Sequence, residues 1–206
     1  MGETAQIVVL IKEPGTAKTR LAAALSGAER VRLAEECAVR ALEAAQEVAV
    51  TLAVCGGPGA AHLARRCGAE ALVEEHPAGQ NRAAERGLAE VLARGGSGCL
   101  LLSSDLPLVD AGSLRRLLER AEAVEGPVAV VAPALGREGT NALYLRPIDG
   151  FDLQFGEASL PRFAAEARRR GRELVVHWEP ALALDVDEPD DLATLDRWRA
   201  TTGEPA

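Results

Sequence analysis

Aromatic side chains are scarce in this chain, with three Phe, two Trp and one Tyr among 206 residues. Large rings cannot fill the core, which must be built from Leu, Val and Ala, a composition suited to helices packed on a sheet. No apolar run approaches the roughly 20 residues that span a bilayer, and the N-terminus enters a strand-like stretch at once, without a signal-peptide pattern. The expectation is a cytoplasmic protein without a membrane partner. Cys37, Cys55, Cys67 and Cys99 show no C-x-x-C spacing, and His62, His76 and His177 are scattered. Buried free thiols are therefore expected rather than a metal site or a disulfide framework. An excess of basic residues is also lacking: 23 Lys and Arg face 31 Asp and Glu, a net charge of −8. That balance excludes a broad nucleic-acid surface, and an anionic substrate must rely on local cations or metals. The cluster Arg168, Arg169, Arg170 and Arg172 falls at the end of a helical run before Gly171, where cations complement the helix dipole and face solvent.

Three familiar motifs fail. Gly57-Pro58-Gly59 follows a strand-like run, but the third small residue of a dinucleotide fingerprint would fall on His62 and Pro58 lacks a backbone donor; a helix-opening turn is expected. Gly95-Gly-Ser97-Gly-Cys99 precedes its strand, where a nucleophile elbow must follow one. No Walker A loop occurs, because Lys18-Thr19 lacks the glycine directly before the lysine.

What is present is an alternation of strand-like and helix-period segments. Apolar runs recur at 7–11, 48–54, 71–73, 99–102, 128–131, 142–145 and 174–177. Helical spacing covers 28–45, 60–66, 81–94, 112–123, 160–170 and 190–199, the last opened by Pro189 and an acidic first turn. This predicts one α/β domain over residues 1–206, with a mostly parallel sheet between helices. After Pro133 no clear helix separates two strand-like runs, so an antiparallel addition is expected there.

Three stretches carry chemistry. Lys12-Glu-Pro-Gly-Thr-Ala-Lys18-Thr-Arg20 leaves the first strand and puts three cations around a Pro-Gly turn, at the kind of strand end where α/β proteins bind ligands; a phosphate cradle and a solvated loop are both open readings. Leu100–Leu102 ends in Ser-Ser-Asp105-Leu-Pro107, where Asp105 either serves a site or holds the turn. In Leu182-Ala-Leu184-Asp185-Val186-Asp187, strand alternation sends the apolar residues to one side and both aspartates to the other. Paired carboxylates repel unless a cation lies between them. Asp187 has the alternative role of capping the helix near Pro189, which leaves Asp185 unexplained. A basic loop with three carboxylates describes a metal-assisted phosphoryl-type reaction, and without a convincing Ser, Cys or His nucleophile, direct in-line attack is the simpler route.

The ordered stretches Ala17-Lys-Thr-Arg-Leu21, Gly79-Gln-Asn81, Ser104-Asp105-Leu-Pro107, Gly139-Thr-Asn-Ala-Leu143, Phe155-Gly156 with Ser159, and Asp185-Val-Asp187 resemble the 2-phospho-L-lactate and phosphoenolpyruvate guanylyltransferases of coenzyme F420 biosynthesis. The resemblance implies a GT-A-like, Rossmann-related nucleotidyltransferase that joins GMP from GTP to the acceptor's phosphate and releases pyrophosphate. It implies Mg2+ held by Asp105, Asp185 and Asp187, GTP held by Lys12, Lys18, Arg20 and Asn81, and the acceptor held by Thr140, Gly156 and Ser159. Lys18 and Asp105 are then the catalytic pair. A GT-A-like transferase using a nucleotide sugar and a non-catalytic nucleotide-binding module are the rival readings. The acceptor stays open among phosphoenolpyruvate, 2-phospho-L-lactate and 3-phosphoglycerate, with the Ala- and Arg-rich composition leaning towards phosphoenolpyruvate. Oligomeric state stays open too, a homodimer being one candidate.

Overall fold

The structure is a computed structural model that describes residues 5–136 and 138–202. Seven short apolar runs become strands: β1 (Gln6–Ile11), β2 (Val50–Cys55), β3 (Glu70–Val73), β4 (Cys99–Ser103), β5 (Val128–Pro133), β6 (Thr140–Arg146) and β7 (Glu173–Val176). The intervening segments fold as α1 (Gly27–Gln46), α2 (Pro58–Arg66), α3 (Gln80–Ala93), α4 (Ala111–Glu122), α5 (Ser159–Arg169), a one-turn α6 (Pro180–Ala183) and α7 (Pro189–Thr202). No helix among the described residues is long and apolar enough to cross a membrane.

The strands form one sheet in the order β3-β2-β1-β4-β6-β5-β7. Only β6 runs against its neighbours, pairing antiparallel with both β4 and β5, while the remaining pairs are parallel. The expected antiparallel addition is this hairpin, closed by the short connection after Pro133. Because the central strands are covered on both sides, each reads as a continuous apolar run rather than an alternation. Ile7, Val9, Leu100, Leu102, Val128 and Val130 pack under α1, α2 and α4. Val8, Leu10, Cys99, Leu101, Ala129 and Val131 pack under α3 and α5. The rarity of rings is met by concentrating all three Phe on this second side, where Phe163 lies 5.9 Å from Phe151 and 5.2 Å from Phe155.

Three expectations are corrected. Strand alternation does not continue through 182–187: Pro180 opens α6, and Leu184 then joins Val186, Leu21, Leu108 and Leu195 in a small third apolar cluster. The segregation of apolar residues from carboxylates survives without a strand. Val48 and Ala49 stay in the turn that ends α1, hydrogen-bonded back to Ala45, so β2 begins at Val50. In the basic cluster Arg168, Arg169 and Arg170 are exposed at the end of α5 as expected, but Arg172 is not. Arg169 and Arg170 pair with the buried Glu166, and Arg172 is itself buried, donating to the Pro147 and Asp149 carbonyls and lying over the Phe151 ring. The four cysteines are free thiols, with burial pushing Cys37 and Cys55 up to about 11.

Helix α3 approaches the sheet closely at Gly87, where a Cβ would lie 2.5 Å from Val8 Cγ1 and 3.2 Å from Val54 Cγ2. Gly→Ala within a helix gains about 1 kcal/mol of propensity. Overpacking against a stiff β-branched side chain in a central strand costs about 1–3 kcal/mol, so the clash wins. Gly87→Ala should lower the denaturation midpoint, and its effect should be clearly non-additive with Val8→Ala; additive changes would mean that the two positions do not touch.

Candidate active site

The sheet order places β1 between β2 and β4, a switch point at whose carboxyl edge α/β folds bind ligands. The chain leaves β1 through Lys12 and Glu13 into a 3-10 turn at Pro14–Thr16. The Glu13 carboxylate accepts from Gly59 N at 3.2 Å and Ala60 N at 3.1 Å, so it sits on the positive N-terminus of α2. A Cβ at Gly57 or Gly59 would come within 2.3 or 2.2 Å of that carboxylate. The Gly-Pro-Gly sequence thus opens a helix as expected, and its glycines leave room for Glu13.

Lys18 follows in the left-handed region at φ 58° and ψ 31°. Its buried ammonium lies 3.3 Å from Asp187 Oδ1 and 3.7 Å from Asp105 Oδ2. Burial pulls its pKa down, but the two carboxylates outweigh burial and hold it above the usual lysine value. Lys18 therefore stays charged and offsets the acidic group around it.

That group comes from two segments tied by backbone. Asp105 lies two residues beyond β4, and its carbonyl accepts from Val186 N at 3.3 Å. Leu184 and Val186, pinned in the third apolar cluster, bracket Asp185. Asn141 on β6 donates from Nδ2 to the Leu182 and Ala183 carbonyls at 3.0 and 3.1 Å and to Asp185 Oδ1 at 3.4 Å. Just before α7 the Asp191 carboxylate accepts from the backbone N–H groups of Asp187 and Glu188, at 2.9 and 2.7 Å.

Asp105, Asp185 and Asp187 each bring one oxygen within 4.8 Å of the others. Three carboxylates against one Lys18 ammonium leave an excess of negative charge that a divalent cation would neutralise. Asp105 Oδ1 adds a direct sign, being buried without a hydrogen-bond partner among the described residues. An oxygen-only donor set of this kind suits a hard cation such as magnesium.

The cluster stands at one end of a cleft of about 420 Å³, with Lys12, Lys18, Glu74, Gln80, Asp105 and Asp187 among its lining residues. The other expected residues are distributed around it. Arg20 is exposed and pairs with Glu188 at 3.3 Å. Asn81 is turned to the neighbouring loop instead, accepting from Phe155 N at 2.7 Å and donating to Phe155 O at 3.3 Å. Thr140 opens β6 one residue before Asn141, and its hydroxyl lies 2.8 Å from that of Ser159, both buried. Gly156, at φ 119°, begins the turn into α5. The carboxylates thus lie between the β1–β3 cleft and the β6–α5 loop.

Sequence reasoning assigned no role to Glu13 or Asn141, and read Asp191 only as part of the acidic first turn of α7. Only Asn141 left a signal, as an amide at the start of an apolar strand, where a buried polar group needs partners. Asn141→Ala should weaken divalent-cation binding by about 10–100-fold, the usual result of removing a group that orients a metal ligand. Manganese titration followed by electron paramagnetic resonance, with circular dichroism for the fold, checks this; unchanged affinity would show that Asn141 does not orient Asp185.

A family model described as guanylyl transferase CofC like matches residues 5–196. A phosphoenolpyruvate guanylyltransferase from Rubrobacter xylanophilus is 38% identical over 191 residues, covering 92% of each chain. A 2-phospho-L-lactate guanylyltransferase from Methanothermobacter thermautotrophicus is 32% identical over 180 residues, covering 87% of this chain and 78% of that one. A solved nucleotidyl transferase from the same organism superposes with a TM-score of 0.65 at 18% identity, covering 98% of this chain and 100% of its own, a likeness of fold. With the match running from the first strand into the last helix, the chain belongs to the CofC-like guanylyl transferase family.

Proposed function

We propose that the protein is a single cytoplasmic domain that moves GMP from GTP to phosphoenolpyruvate or 2-phospho-L-lactate, releasing pyrophosphate, as a step of coenzyme F420 biosynthesis. The observation that carries this reading is the gathering of Asp105, Asp185, Asp187 and Lys18 at one end of a nucleotide-sized cleft. Three relatives at 38% identity are named for phosphoenolpyruvate, which favours that acceptor over 2-phospho-L-lactate and 3-phospho-D-glycerate, each named at 32%.

In the proposed reaction an oxygen of the acceptor's phosphate attacks the α-phosphorus of GTP, the bond from that phosphorus to the bridging oxygen breaks, and pyrophosphate leaves with the electron pair. Mg2+, held by Asp105, Asp185 and Asp187, would supply Lewis-acid polarisation of phosphate oxygens. Lys18 and Lys12 offset the charge of the triphosphate, and Arg20 extends that positive side at the surface. On the other side, Thr140, Ser159 and Gly156 take the acceptor: the paired hydroxyls offer a donor to an anionic oxygen, and Gly156 allows a close backbone approach. Asn81 acts at one remove, tying the start of α3, whose Gln80 lines the cleft, to the Phe155–Gly156 loop.

The test is pyrophosphate release from GTP with each candidate acceptor, 3-phosphoglycerate included. Release should require both substrates, and Asp185→Asn should lose about 100-fold or more of turnover at an unchanged denaturation midpoint, since an electrostatic group lost from such a site commonly costs 10²–10³. GTP binding without release would favour a non-catalytic module, and release only from a nucleotide sugar would favour sugar transfer. Ser159→Ala should raise the acceptor KM by about tenfold while the KM for GTP stays put, because one lost buried donor costs about 1–3 kcal/mol. Equal changes in both constants would remove Ser159 from the acceptor pocket.

A further inference from the structure

The far part of the cleft is suited to a flat, apolar object with one polar edge. Leu10 on β1 and Val54 on β2 are direct cross-strand partners, and both line the cleft with Ala83 of α3 and with Pro77. Among these walls stands one carboxylate, Glu74, just beyond β3. Its backbone is fixed by the hydrogen bond from Glu74 N to Cys55 O at 2.9 Å.

The other acidic groups lining the cleft have work already. Glu13 is held by the N-terminus of α2, and Asp105 and Asp187 face Lys18. Glu74 lines the same space, and its carboxylate makes no hydrogen bond or ion pair with any described residue. Partial burial pushes its carboxyl up from the usual range, while Arg86 offsets some of that effect. A half-buried carboxylate facing a cleft without a partner is a site for two parallel N–H donors.

The spacing also fits. In the order β3-β2-β1-β4, three strand intervals separate the end of β3 from the end of β4, or about 14 Å at the usual interval. Glu74 thus lies across the sheet edge from the metal-binding aspartates, with Lys12 and Lys18 arising from β1 between them. An extended nucleotide bound with its phosphates at the lysines would carry its base towards Glu74.

We propose that Glu74 reads the Watson–Crick edge of guanine, one carboxylate oxygen accepting from N1–H and the other from the 2-amino group. Leu10, Val54 and Pro77 bound the base. This inference rests on the reading of GTP as the donor. Adenine is rejected because its N1 is an acceptor and would face a carboxylate oxygen, leaving both unpaired. A site built around such a hydrogen bond discriminates strongly against a base that cannot make it.

The experiment is calorimetric titration of the whole protein, with Mg2+ present, using GTP, ITP, XTP and ATP. ITP lacks the 2-amino group and should bind the native protein about tenfold or more weaker than GTP, with ATP weaker still. In Glu74→Gln the side chain keeps one acceptor for N1–H and offers one donor, which suits the 2-oxo group of xanthine. That variant should lose about tenfold or more in GTP affinity and gain about tenfold or more for XTP, a gain that damaged folding cannot produce. An unchanged ratio of GTP to ATP affinity in the variant, or an equal loss for every nucleotide without a gain for XTP, would overturn the role of Glu74. Should the native protein bind no GTP, the guanylyltransferase reading falls and this inference with it; GTP binding that ignores Glu74 removes only the inference.

Discussion

Mutual repulsion among Asp105, Asp185 and Asp187 is the constraint on which the rest of this molecule turns. Three carboxylates with oxygens within 4.8 Å of one another do not stay together unaided. Lys18 supplies part of the compensation, with two ion pairs inside 4 Å. The remainder comes from a backbone hydrogen bond and apolar packing: Val186 N donates to Asp105 O, and Leu184 and Val186 are locked in a cluster with Leu21, just past Lys18, and Leu195 of α7. The same small cluster therefore fixes both the aspartate segment and the loop that carries their counter-charge. Loss of packing there would act on electrostatics, because it would change the distance between charges rather than their number.

This arrangement also explains why the site has two sides. The sheet reverses its winding between β1 and β4, and β6 is then inserted antiparallel beside β4. That insertion brings Thr140 and Asn141, at the start of a strand, to the edge where the parallel strands end. Asn141 reaches the Asp185 segment, and the neighbouring Thr140 faces Ser159 of α5. In an all-parallel sheet the same strand would present its end, not its beginning, and Thr140 and Asn141 would lose their contacts with Ser159 and the Asp185 segment. The antiparallel addition is thus what sets the Thr140–Ser159 pair beside the aspartate segment.

The layered α/β fold was legible because its strands are short apolar runs and its helices repeat every three or four residues, signals that belong to local sequence. The three aspartates that come together were singled out as well, Asp105 because an apolar run stops just before it and Asp185 and Asp187 because they alternate with apolar residues. What sequence hid was the role of groups that act across the fold. Glu13 is 46 residues from Gly59, and Asn141 is 44 from Asp185; neither pairing leaves a periodic trace. Asn81 sat in the right motif, yet its partner is the backbone of Phe155, which no side-chain pattern can announce. Strand alternation at 182–187 assigned the wrong local structure, because Pro180 starts a helical turn; Leu184 and Val186 pack in the third apolar cluster, while the buried Asp185 and its neighbour Asp187 gather with Asp105.

Backbone strain adds an independent line to the same conclusion. Among the described residues, non-glycine positive φ occurs at Lys18, Glu138 and Ala158. Such conformations cost about 1–3 kcal/mol and persist where surrounding contacts over-determine them. Lys18 is held by its two carboxylates. Ala158 immediately precedes Ser159, whose N–H is taken by Gly156 O, and Glu138 accepts from Leu160 N on the same turn. The strain therefore falls at the counter-charge of the aspartates and at the loop assigned to the acceptor. Its location coincides with the ammonium that faces Asp105 and Asp187 on one side and with the Thr140–Ser159 hydroxyl pair on the other.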